Sequence, residues 1–121
     1  MESIRATNTK PELIVRKELS SLGYKYRLHR PNLPGRPDIV FASRKKAIFV
    51  NGCFWHQHGC ELTKMPSSNL DYWVPKFERN KRRDRSAVRE LRSLGWKVLI
   101  LWECQIAKRL TLKRRLERFL R

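Results

Sequence analysis

The apolar positions fall into helix-spaced sets and short unbroken runs, separated by glycine and proline. Leu13, Ile14, Leu19 and Leu22 recur at helical spacing and predict one buried face. Thr9-Lys10-Pro11-Glu12 reads as the start of that helix. Thr9 suits the cap, Pro11 the first turn, and Glu12 the positive helix end. Gly23 is its expected stop. Tyr24 to His29 alternates as a strand does, and Arg30 to Pro37, with three prolines and Gly35, is a loop. Asp38-Ile39-Val40-Phe41 predicts a short strand opened by a carboxylate. After a turn at Ser43 to Lys45, Ala47-Ile48-Phe49-Val50 predicts another. Unbroken apolar runs of this length suit a sheet covered on both faces.

Asn51 to about Leu70 is rich in Cys, His, Gly and Pro and has no period. A loop this long in a compact domain is usually functional or held by something. Asn69 or Asp71 then opens a long helix to about Leu94, stopped by Gly95. Pro75 has to lie in its first turn or bend it. Lys97 to Trp102 predicts a further buried strand, and Thr111 to Leu120 a basic amphipathic helix. Helix, strands, long helix, strand and helix in that order predict an α/β fold, a mixed central sheet flanked by helices.

Charge changes the picture more than length does. The 121 residues suit one domain, and 28 Lys+Arg against 11 Asp+Glu leave a formal net charge of +17. That excess favours nucleic acid as the partner over an anionic membrane or a merely solvated basic surface. No apolar run approaches the roughly 20 residues of a membrane span, and Met1-Glu2-Ser3-Ile4-Arg5 has no signal-peptide core. The expectation is a protein of the reducing cytoplasm, without a membrane partner. Three cysteines, an odd count, argue against a disulfide framework and for thiol chemistry or a metal.

Cys53, His58 and Cys60 form C-x4-H-x-C, and Cys104 follows the last strand. Three thiolates and one imidazole are a donor set that closes tetrahedral zinc, in a structural role with no position left for substrate. Buried free cysteines with a surface histidine remain the alternative, and His56 is a substitute ligand. Asp38, at a strand start, is a place to hold Mg²⁺ against a phosphate, although an Asp there often only caps the chain. His56 is either a general base, a metal ligand or a polar loop residue. Phe54, Trp55 and Trp73 could stack on bases or wedge between them, or form a small core under the loop. Arg79 to Arg85 is a phosphate grip or a solvated face. Asp84, the acid inside that run, could neutralise its arginines or orient a histidine.

Several stretches occur together in one order. They are Leu33-Pro34-Gly35-Arg36-Pro37-Asp38, Ile48-Phe49-Val50-Asn51-Gly52-Cys53-Phe54-Trp55-His56, Leu94-Gly95-Trp96-Lys97-Val98-Leu99 and Trp102-Glu103-Cys104. In these the chain resembles the very-short-patch-repair endonucleases, from about Asn8 to Leu120. The resemblance implies a restriction-endonuclease-like fold with structural zinc, in a single endonuclease domain over 1–121 with a short N-terminal arm at 1–8. It implies Mg²⁺-dependent nicking of one strand, 5′ to the thymine of a T:G mismatch, by a nucleoid-associated bacterial monomer working beside other mismatch-repair proteins. Carried over by residue, Asp38 is similar to the Mg²⁺ carboxylate, and the Val50 main-chain carbonyl falls at a second metal contact. His56 resembles the general base and Asp84 its orienting partner. Phe54, Trp55 and Trp73 resemble the wedge, with Lys76 and Asn80 as further DNA-binding positions. Cys53, His58, Cys60 and Cys104 resemble the zinc ligands. Val50 stands where a Thr can occur, Asn51 where a His can occur, and Glu12 is a candidate outer carboxylate.

Overall fold

The computed structural model describes residues 9–52 and 68–121. Helix α1 spans Lys10–Ser21, and the Thr9 hydroxyl accepts the Glu12 N–H at 3.3 Å, as its capping residue should. The inward face runs through Glu12, Val15 and Leu19, an i, i+3, i+7 series. Leu13 is not on it and is 46% exposed. It lies two residues before fully buried Val15, about 200° round the helix, so the face turns on Val15 instead.

Strand β1 is only Arg27–Leu28, shorter than the alternation suggests, because His29 turns into the left-handed region at φ 47°. Strand β2 (Ile39–Phe41) pairs antiparallel with β1, and β3 (Lys46–Asn51) antiparallel with β2 through a 3-10 turn at Ala42–Arg44. Helix α2 (Leu70–Ser93) carries the chain to β4 (Lys97–Trp102), which lies parallel to β3 with Val50 opposite Leu101. A parallel pair needs such a crossover. The described sheet is four-stranded and mixed, in the order β1-β2-β3-β4. Pro75 sits beyond the first turn of α2, where it forfeits the N–H that would bond to the Asp71 carbonyl.

Two helices finish the fold. Helix α3 (Glu103–Ile106) is not evident in the sequence, and α4 (Arg109–Leu120) begins two residues before the expected Thr111. Every residue of β3 is buried, as unbroken apolar runs imply. Ile48 and Val50 join Val15, Leu19, Ile39, Phe41, Leu101, Ile106, Leu112 and Leu116 in the core beneath α1, α3 and α4. Successive strand residues face opposite ways, so Ala47 and Phe49 belong to the other side. There Gly35 approaches both Phe49 and Ala87 of α2. Among the described residues no helix is long and apolar enough to cross a membrane.

Candidate metal-binding active site

Three side chains converge where β1 ends and β2 begins. Glu12 of α1, His29 after β1 and Asp38 before β2 each offer a ligand-type atom, all within 4.8 Å of one another. The backbone builds half of this arrangement. The Asp38 N–H donates to the Ile48 carbonyl at 3.1 Å, and the Asp38 carbonyl accepts the His29 N–H at 3.1 Å. The Asp38 side chain then continues the ladder in place of backbone. Its Oδ2 accepts the Val50 N–H at 2.7 Å, and the residue is only 3% exposed. A charged carboxylate survives such burial only when its charge is compensated.

Glu12 is buried further, at 1% exposed. Its Oε2 lies 2.6 Å from His29 Nε2 and 3.4 Å from the Arg16 guanidinium one turn along α1. The imidazole and the carboxylate thus meet at hydrogen-bond distance. Thr9 caps the helix backbone at Glu12, while the Glu12 side chain turns to the cluster. Two carboxylates with a nearby imidazole are a donor set that fits a divalent cation.

A second group lies along one face of α2. Trp73, Phe77, Asn80 and Asp84 follow steps of three and four residues, with Lys76 beside Phe77. The half-buried Trp73 ring stacks on Phe77 at 5.7 Å and meets Tyr72 edge-on at 5.1 Å. Lys76 is buried, with its ammonium 5.7 Å from the Tyr72 ring centroid. Asn80 is 1% exposed, and neither end of its carboxamide has a partner among the described residues. Asp84 is half-buried, whereas Arg79, Arg82, Arg83 and Arg85 of the basic run are exposed. Asn51 is buried at the end of β3, opposite Trp102.

Cys53, Phe54, Trp55, His56, His58 and Cys60 lie outside the described residues. Of the expected zinc ligands only Cys104 is described, half-buried as the second residue of α3. Sequence reasoning singled out Asp38 and Glu12, which the fold brings together, but not His29 and Arg16 beside them. A signal for His29 existed, because it precedes the proline-rich loop whose other end is Asp38. Antiparallel pairing of the flanking strands therefore had to bring the two together.

This is an α/β fold of a kind that nuclease domains use. It is similar to the catalytic domain of the homing endonuclease I-Bth0305I, with a TM-score of 0.63 at 21% identity, over 93% of this chain and 94% of that one. Residues 1–62 match the family described as DNA mismatch endonuclease Vsr. The type II nicking enzyme V.XorIIP of Xanthomonas oryzae pv. oryzae is 48% identical, over 99% of this chain and 88% of its own. The DNA mismatch endonuclease Vsr of Escherichia coli is 40% identical, over 89% and 71%. The chain belongs to the DNA mismatch endonuclease Vsr family. It is an endonuclease that hydrolyses DNA phosphodiester bonds, and DNA is its partner.

Proposed function

We propose that this endonuclease nicks one strand of duplex DNA on the 5′ side of the thymine in a T:G mismatch, using Mg²⁺ at the Glu12–Asp38 cluster. The observation that carries the reading is Asp38, buried and fixed by the Val50 N–H at 2.7 Å. In an extended strand a residue's N–H and carbonyl point to the same side, so the Val50 carbonyl faces the Asp38 side as well. That supports Asp38, Glu12 and the Val50 carbonyl as oxygen donors for a hard cation. When bound, such an ion supplies neutralisation of the charge that builds on the scissile phosphate.

The chain's own residues do the rest. His56 takes the proton from the attacking water, and Asp84 orients it. Phe54, Trp55 and Trp73 open the stack beside the mismatch, and Lys76 and Asn80 contact the DNA. The Asn80 carboxamide, without a partner among the described residues, has donor and acceptor capacity for such a contact. Cys53, His58, Cys60 and Cys104 hold one structural Zn²⁺. Residues 1–121 form one endonuclease domain with 1–8 as its arm, and it acts as a monomer alongside other mismatch-repair proteins in the bacterial cytoplasm.

One second reading has a specific support. Relatives such as V.XorIIP are named type II nicking enzymes, a name without a mismatch in it. Incubation with Mg²⁺ and otherwise identical T:G and matched duplexes, followed by mapping of the break, separates the two. A single break 5′ to the mismatched thymine is expected. Equal nicking of the matched duplex would establish the second reading instead.

A further inference from the structure

We infer that His29 is a positioning residue for the metal centre, aligning Glu12 as the Val50 N–H aligns Asp38. The inference rests on the reading of Glu12 and Asp38 as metal carboxylates. Each carboxylate has one oxygen held by a fixed donor: Asp38 Oδ2 by the Val50 N–H at 2.7 Å, Glu12 Oε2 by His29 Nε2 at 2.6 Å. Arg16 is a longer second contact to the same Glu12 oxygen, at 3.4 Å. The backbone is committed to this geometry. His29 adopts φ 47°, a region that side-chain-bearing residues rarely occupy, while its N–H bonds the Asp38 carbonyl. One residue therefore meets both partners, its N–H bonding the Asp38 main-chain carbonyl and its imidazole the Glu12 carboxylate. A 2.6 Å separation between Nε2 and Oε2 is a short hydrogen bond. It is closer than two ligands of one octahedral ion normally stand, so His29 acts through Glu12 and not as a ligand itself. Outer partners of this type hold a ligand's orientation and commonly carry a 10–100-fold share of metal affinity.

The test measures binding of Mn²⁺ alone to the full-length protein, from the loss of the free-ion paramagnetic resonance signal, with Mg²⁺ as competitor. His29→Asn keeps a side chain that tolerates the left-handed backbone but stops short of Glu12. His29→Gln can place an amide N–H where Nε2 stood. His29→Asn is expected to weaken Mn²⁺ binding by about 10–100-fold, and His29→Gln to regain most of that loss. In a Glu12→Gln background, His29→Asn should add nothing further. Unchanged affinity in His29→Asn overturns the inference. So does an undiminished effect of His29→Asn in the Glu12→Gln background, which would make His29 a ligand in its own right. Asp38→Ala serves as the separate control. Wild-type Mn²⁺ binding by that variant would remove the metal-site reading itself, whatever the His29 variants do.

Discussion

The proposed function gives the Asp38 carboxylate two purposes, accepting the Val50 N–H and holding the cation, and two substitutions pull them apart. Removing the side chain leaves the buried Val50 N–H without its acceptor, which costs about 1–3 kcal/mol of stability. Asp38→Ala should therefore lower the melting temperature and abolish nicking together. Asp38→Asn keeps an acceptor oxygen for Val50 but loses the charge that draws in the cation. It should melt close to wild type and still fail to nick, while binding DNA through the unchanged basic surface. An Asp38→Asn protein that nicks at the wild-type rate would sink the metal role. Lys46 carries a prediction of another kind. The residue is largely buried, and its ammonium donates to the Phe119 carbonyl at 2.7 Å and the Arg121 carbonyl at 3.2 Å. Loss of solvation, then the charges of Lys97 and Arg44, lowers its pKa below the ordinary 10.5. The folded state thus releases this proton at lower pH than the unfolded state, and the cost of the buried charge is fully present below the folded pKa. It is relieved as pH rises from the folded value towards 10.5. The stability of wild type relative to Lys46→Met should rise through that alkaline window in paired thermal melts, and a flat or falling difference would refute it. Asp38 could be singled out in the sequence because it opens an apolar run next to a second one, although spacing alone left a chain-capping Asp as the alternative. For His29 the strand pairing gave a signal for its nearness to Asp38, but its contact with Glu12 depends on a left-handed backbone and on a helix residue seventeen positions earlier.

At the scale of elements, the proline-rich loop comes closely against α2 and β3 at Gly35. Gly35 sits at φ +74°, and a Cβ there would lie 2.7 Å from the Ala87 Cβ and 3.2 Å from two carbons of the Phe49 ring. Neither neighbour is a flexible chain end that can swing away. Gly35→Ala combines the left-handed penalty with overpacking and should cost roughly 2–4 kcal/mol, read as a lower denaturation midpoint. A change within error would mean that the loop lifts off α2 without loss. Ala87→Gly in the same background should recover part of the overlap but not the backbone strain. Most of the elements were legible, and for identifiable reasons. The strand runs are unbroken because both faces of β2 and β3 are covered, and the Thr9 start of α1 is a local hydrogen bond. The failures are places where tertiary contact overrides local pattern. The sequence pattern predicts Leu13 on the buried face of α1, but that face turns on Val15 and Leu13 is exposed. Helix α3 is a single turn, too short for any period to show. Pro75 is tolerated past the first turn of α2 although its ring removes a helix hydrogen bond.

For the whole molecule, the net charge of +17 and the aromatic and amide face of α2 should contribute to binding in separable ways. Lys and Arg contacts to phosphate release condensed counterions, so log affinity falls linearly with log salt at about 0.9 per phosphate neutralised. If the exposed arginines of Arg79 to Arg85 and the basic residues around them neutralise about six phosphates, the slope is near −5. Those contacts do not read the bases, so a matched duplex and a T:G duplex should show the same slope. Mismatch preference, in contrast, should come from stacking by Trp73 and hydrogen bonds from Asn80, neither of which displaces counterions. The ratio of the two affinities should therefore stay constant as salt rises, while both affinities fall by orders of magnitude. Trp73→Ala and Asn80→Ala should shrink that ratio without altering either slope. Arg82→Ala should reduce both slopes by about one and leave the ratio intact. Fluorescence anisotropy titrations of the two duplexes across a range of salt concentrations measure all of these at once. A steeper slope for the T:G duplex would show that mismatch selection works by recruiting extra phosphate contacts. In that case the α2 face would be packing and not readout.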